Sequence, residues 1–222
     1  MNHEDVPRTN SPLQAYWLRS CRSAPPDASA RVFAQVLAGW SEPQRAYHTP
    51  QHLLEALTLL DAWSGDGDWP VPVALALFFH DLVYDPRRAD NEEMSARRAR
   101  EMLAPLQLPQ AQIEAVVRLI DITRHAARPR AEDEKLMVDI DLAILGAAPE
   151  RYAQYQRQVR QEYAHVPEAL FTRGRLAVLE AFLQARPALF HTARGRRAFD
   201  AAAARNLTAE VAQLRALIAA GE

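Results

Sequence analysis

Four of the chain's 7 histidines, His48, His52, His80 and His125, fall where a helix is expected to start or stop. His80 and Asp81 come directly after seven consecutive apolar residues, 73–79. Such a run belongs in a core, where an unpaired charge is costly, so the pair should be hydrogen-bonded internally or bound to a cation. By itself it also fits a core helix whose histidine is satisfied and whose aspartate caps the next turn. Asp139 and Asp141 lie in a segment, 136–145, that is otherwise apolar. Two residues apart on a helix, they project about 200° from each other, so at most one can face a shared site. Leu142, Ile144 and Leu145 surround Asp141, which favours it, with Asp139 as the alternative. Two imidazoles and two carboxylates brought together from separate helices make a nitrogen/oxygen site without soft sulfur. That set suits divalent Mn, Fe, Co, Ni or Zn with positions open to water and substrate. Such an ion acidifies a bound water and polarises a phosphoryl oxygen.

The elements that must position these residues read as helices throughout. Ala, Leu, Arg, Glu and Gln dominate, glycine is scarce at 7 residues, and no run alternates in the manner of a strand. Ser11-Pro12 starts a helix over 11–23. Asp27 caps a second helix that runs to Gly39, and Thr49-Pro50 starts a third through Trp63. Residues 64–70 form a loop, followed by the apolar helix 71–82 that ends at the His-Asp pair. Asp90-Asn91-Glu92-Glu93 reads as a capping box opening a helix to Leu103. The next helix runs from Pro109 to about His125, and another spans 132–145 with Gly146 just beyond its end. Beyond Pro149 come two amphipathic helices around a break at Val166-Pro167, a turn near Pro187, and a last helix over 194–219.

The fold class expected is therefore all-α, with a flexible N-terminus at 1–10 and one helical domain over 11–222. A formal charge of −2 gives no footprint for a nucleic-acid partner. The lone Cys21 excludes a disulfide framework and a cysteine zinc site. No apolar run reaches the length of a membrane span or follows a basic start, so a cytoplasmic protein is expected. Leu207, Val211, Leu214 and Leu217 on the last helix would cover the core or, in a homo-oligomer, a partner copy.

The order His48, His80-Asp81, Asp141 resembles the HD superfamily of metal-dependent phosphohydrolases, all-helical bundles named for their His-Asp pair. The blocks Arg45-x-Tyr47-His48-x-x-x-His52-Leu53, Phe78-Phe79-His80-Asp81 with Tyr84, Asn91-Glu92-Glu93-x-Ser95-Ala96, Thr123-x-His125 and Asp139-x-Asp141 through Gly146 resemble one branch of it. That branch is known mainly as predicted phosphohydrolases. The matches span about 45–146, and weaker ones continue around Arg160 to Tyr163 and Ala204 to Leu207. What the resemblance implies is an HD-type helical bundle holding a divalent ion, Mg included, on His48, His80, Asp81 and Asp141.

Around that ion, Glu92 and His125 are candidates for general acid/base work. His52, one turn after His48, would bind a substrate anion or shuttle a proton. Arg45 would clamp a phosphate, and Tyr84 and Asn91 would line the mouth. The function expected is hydrolysis of a small phosphate ester, nucleotides included. Two other functions stay open. One is a dinuclear iron oxygenase, for which only His125 is offered as an extra histidine between Asp81 and Asp141. The other is a nucleotide-binding module without turnover.

Overall fold

A computed structural model of the chain describes residues 11–65, 69–184 and 189–221. The expected flexible N-terminus, the middle of the loop at 64–70 and the turn near Pro187 lie outside the described residues. Every regular element among the described residues is helical, and no helix there is long and apolar enough to cross a membrane.

Helices α1 (Pro12–Ser20), α2 (Pro26–Trp40) and α3 (Pro50–Ser64) all open on a proline, whose missing N–H costs nothing in a first turn. Ser11 caps α1 by accepting from Gln14 N–H at 3.3 Å. Asp27 sits inside the first turn of α2 rather than before it, and Pro25 occupies the cap.

Helix α4 (Val71–Phe79) is apolar on every side and is therefore central. Its residues 73–79 are all within 1% of full burial. Trp40 Nε1–H donates to the Phe78 carbonyl at 2.8 Å, and Trp17 meets the Phe78 ring edge-on at 5.2 Å. The helix ends three residues earlier than expected, so His80 and Asp81 stand at its mouth instead of inside it.

Helix α5 (Asn91–Leu103) and a short 3-10 turn (Ala104–Leu106) lead to α6 (Gln110–Ile122). The capping box expected at Asp90 does not form, because Arg88 takes the Asp90 carboxylate at 2.7 Å. Helix α7 (Glu132–Asp141) tightens into a 3-10 helix (Leu142–Gly146) at the aspartate itself. Gly146 serves close packing, since a Cβ there would meet Phe199 at 2.7 Å. Helices α8 (Pro149–Glu162), α9 (Glu168–Gln184) and α10 (Ala193–Gly221) complete the order.

Two apolar clusters result. The first gathers α1 to α7 around α4. The second joins α8, α9 and α10 to Val138, Leu142 and Leu145 at the end of α7, with Tyr47 packed in from the loop before α3. On α10, Leu207, Val211 and Leu214 are buried in the second cluster, while Leu217 is 52% exposed. The expected core-covering role thus belongs to the first three.

Cys21 lies in the first cluster, and burial pushes its thiol up to about 12. Only the thiolate reacts, and at pH 8 roughly one thiol in ten thousand would be ionised. An Ellman-type reagent should therefore label Cys21 only as the protein unfolds. Labelling of native protein at the rate of a free thiol would contradict this placement.

Candidate metal centre

The two clusters meet at a group of imidazoles and carboxylates carried by four separate segments. Arg45 builds the bracket that joins the first two. Its guanidinium is buried and donates to the carbonyls of His48 (3.3 Å), Asp81 (2.7 Å) and Leu82 (2.9 Å), with Nε–H on Glu42 at 3.0 Å. The expected phosphate clamp is thus closed on the chain's own backbone, and it fixes the loop before α3 against the end of α4.

Asn91 and Ser95 fasten the next stretch. The Asn91 amide accepts from Asp85 N–H at 3.1 Å and donates to its carbonyl at 2.9 Å. Ser95 Oγ makes the same double contact with Val83, at 3.0 and 3.2 Å. Asn91, expected at the substrate, spends its amide on this loop. Tyr84, also expected at the mouth, stacks on the His48 ring at 3.9 Å and donates its hydroxyl to Glu162 at 3.1 Å.

Hydrogen bonds on the far ring nitrogens set which nitrogen each histidine can offer. His80 Nδ1–H donates to the Leu77 carbonyl at 2.9 Å, so in the neutral ring Nε2 carries the lone pair. His48 Nδ1–H donates to Glu162 Oε2 at 2.8 Å, with the same result. His48 Nε2 lies 3.8 Å from Asp81 Oδ2. His80 Nε2 lies 3.0 Å from that oxygen and 3.4 Å from Asp141 Oδ1.

His80 Nε2 is fully buried and has no hydrogen-bond partner of proper geometry among the described residues. A lone pair held between two carboxylate oxygens is repulsive unless a proton or a metal ion sits among them. This orphaned atom, and the hard nitrogen and oxygen donors around it, fit a divalent cation.

His52 closes the group on another side. His52, His80 and Asp81 each present a ligand atom within 4.8 Å of the others, and the three form a buried cluster compatible with metal binding. His52 Nε2 also lies 3.8 Å from Asp141 Oδ1. Its Nδ1 faces the Tyr47 hydroxyl at 3.1 Å, and burial together with the nearby His80 pushes its pKa down to about 4.

Asp139 and Asp141 are separated as helical geometry requires. Asp139, fully buried, accepts from His191 N–H (2.6 Å), Thr192 N–H (2.8 Å) and Thr192 Oγ–H (2.6 Å), and so pins the start of α10 to α7. A Cβ on Gly195 would strike Asp139 Oδ2, which is why that position is glycine. Asp141 is the one that faces the cluster, although Asp139, not Asp141, proves the more tightly enclosed.

Asp141 Oδ2 takes His125 Nε2 at 3.1 Å. The helix expected to reach His125 stops at Ile122, and His125 adopts φ +53, a conformation uncommon outside glycine. That turn is what delivers its imidazole to the cluster. Glu92 is half-buried in the first turn of α5 and makes no hydrogen bond or ion pair among the described residues.

Glu162 is the residue that reasoning from sequence left without a role. Its Oε1 accepts from the backbone N–H groups of Ala46 (2.8 Å), Tyr47 (2.8 Å) and His48 (3.0 Å), while Oε2 takes His48 Nδ1–H and the Tyr84 hydroxyl. Burial opposes its ionisation, but His48 and these amides outweigh burial and hold the carboxyl down at about 2. The available signal was its place on α8, in the buried stripe Tyr152, Tyr155, Val159, Glu162.

Charge in the cluster is balanced by a proton when no metal is bound. Burial alone would lower the His80 pKa, yet Asp81 and Asp141 outweigh it and hold it well above the ordinary value. Asp81 and Asp141 are correspondingly held low against their own burial, by His80 and His48 and by His125 and His80. A metal ion must displace the His80 proton, so affinity should rise with pH up to the pKa of His80. Calorimetric titration of Mn²⁺ in buffers of different ionisation enthalpy should show proton release near neutral pH. Binding without proton release, or unchanged between pH 6 and 8, would contradict the exchange.

Comparison with protein-family models, curated proteins and solved structures gives no match for this chain. The metal-site reading rests on the geometry.

Proposed function

We propose that the chain is a divalent-metal phosphohydrolase of the HD type acting on a small phosphate ester, with His48, His80, Asp81 and Asp141 as ligands. The observation that carries the reading is His80 Nε2, a buried ring nitrogen held between Asp81 and Asp141 without a hydrogen bond of proper geometry among the described residues, a position that takes either a proton or a metal ion. His48 is preferred to His52 as a ligand on its hydrogen bond. Glu162 forces the His48 tautomer that offers Nε2, whereas the Tyr47 hydroxyl has no acceptor but His52 Nδ1 among the described residues. A phenol donating there leaves His52 with Nε2–H, a donor suited to a phosphate oxygen.

When bound, a divalent ion supplies Lewis acidity toward a water and a phosphoryl oxygen. The chain's residues supply the rest. Glu92 accepts a proton as the water oxygen bonds to phosphorus, His52 donates to a phosphoryl oxygen, and His125 protonates the leaving oxygen as the P–O ester bond breaks. Asp141 holds His125 for that transfer, while Arg45, Tyr84 and Asn91 hold the ligand-bearing loops.

The test measures metal content and phosphate release from 4-nitrophenyl phosphate with added Mn²⁺, using His80→Ala and Asp81→Ala. Both variants should lose bound metal and release no phosphate above background. Full activity in either would sink the proposal.

A further inference from the structure

A cavity of about 440 Å³ opens beside the cluster, within the size range of small-molecule sites. His125 belongs to its lining, and the same imidazole reaches Asp141 at 3.1 Å, so one side chain forms the wall between cavity and cluster. Val138, Leu142, Phe182 and Leu189 provide apolar surface. The Phe182 ring stands edge-on to His125, with centroids 6.4 Å apart.

Among the described residues the polar lining is all of one kind: His125, Arg128 and His191, with no carboxylate. Arg128 is exposed and pairs with no acid among the described residues. Burial lowers the His191 pKa and Asp139 raises it, while Arg128, Arg196 and His125 lower it further, as expected for a region of positive potential.

We propose that this cavity holds the leaving-group part of the substrate, and that this part is an apolar, ring-sized body carrying an anionic group of its own against Arg128. The assignment rests on the phosphohydrolase reading for its orientation. With the phosphoryl group at the cluster, the ester oxygen lies alongside His125 and the organic body extends past it into the cavity. A small polar alcohol such as glycerol would leave the apolar walls wet and the arginine without a partner. An apolar body without a second charge would fill the walls but leave Arg128 unused.

The test uses 2-naphthoate, a ring with one anionic group and no phosphate, and its neutral counterpart 2-naphthamide. Affinities are measured by NMR titration of the full chain stripped of metal. Naphthoate should bind about two- to fivefold more tightly than naphthamide, the scale of an ion pair to an exposed arginine. Arg128→Gln should erase that difference. Ala181→Trp, which fills the cavity from its rim, should weaken both ligands.

Equal binding of the two ligands, or naphthoate affinity unchanged in both variants, would overturn the proposal. Loss of naphthoate binding in His80→Ala would also overturn it, by placing the anion at the cluster. Phosphate release from 2-naphthyl phosphate with Mn²⁺ is scored separately. Release without naphthoate discrimination rejects the cavity alone, and discrimination without release supports the cavity while rejecting the hydrolase reading.

Discussion

Glu162→Gln should weaken divalent-metal binding by roughly 10- to 100-fold, the usual cost of losing the partner that orients a histidine ligand. The reason lies in which oxygen does what. Oε1 accepts three backbone N–H groups, from Ala46, Tyr47 and His48, so the glutamine oxygen must stay there. The amide nitrogen then takes the place of Oε2, against His48 Nδ1 and the Tyr84 hydroxyl. An N–H facing Nδ1 requires the opposite His48 tautomer, with hydrogen on Nε2 and no lone pair for a metal. The backbone around His48 keeps its contacts, so the variant should fold.

Competition titration with a chromophoric chelator measures the affinity, and circular dichroism confirms folding. Wild-type affinity in a folded Glu162→Gln protein would remove His48 from the ligand set. Acid should reproduce part of the effect. Because the Glu162 carboxyl is held down at about 2, its stabilising contribution is complete above the ordinary glutamate range and fades as pH falls through about 2.

Glu210→Ala should destabilise the protein by about 3–5 kcal/mol, the cost of leaving a buried charge without its partner. Glu210 on α10 receives Arg175 of α9 at 2.8 and 3.2 Å and the Tyr152 hydroxyl of α8 at 2.6 Å. The two charged side chains are 8% and 6% exposed. Arg175 also donates to the Tyr155 hydroxyl at 3.0 Å, and Tyr155 meets Tyr47 edge-on at 4.7 Å.

Removing the carboxylate therefore strands a guanidinium among three helices and loosens α8, the helix that carries Glu162. The paired replacement Arg175→Met with Glu210→Leu removes both charges and should cost far less than the single change. Urea unfolding gives both values. A loss under about 1 kcal/mol for Glu210→Ala would mean that water reaches the arginine, as for exposed ion pairs.

Much of the site was legible because short-range rules decide it. Seven apolar residues before His80-Asp81 require a buried helix, and the polar pair at its end needs a partner, either within the chain or a cation. The spacing of Asp139 and Asp141 forbids a shared direction. It does not say which one faces the histidines, and the enclosure argument chose Asp141 for a reason the structure reverses. Arg45, Tyr84 and Asn91 have the chemistry of substrate binders, but the fold gave each a partner on this chain. No local pattern reveals that, because a guanidinium or an amide looks the same whether a phosphate or a backbone carbonyl receives it.

The sequence by itself determined the all-helical class, the proline-started helices, the apolar α4 and the set of imidazoles and carboxylates that could meet. These follow from propensity, periodicity and residue chemistry, all of which act within a few residues. Only the tertiary structure decided that Glu162, 114 residues from His48, sets its tautomer. It alone decided that Asp139 pins the start of α10 and that His125 leaves its helix to reach Asp141. Contacts between distant segments depend on how the two apolar clusters pack together. A charged residue on a buried stripe, as at Glu162 or Glu210, announces that a partner exists without naming it.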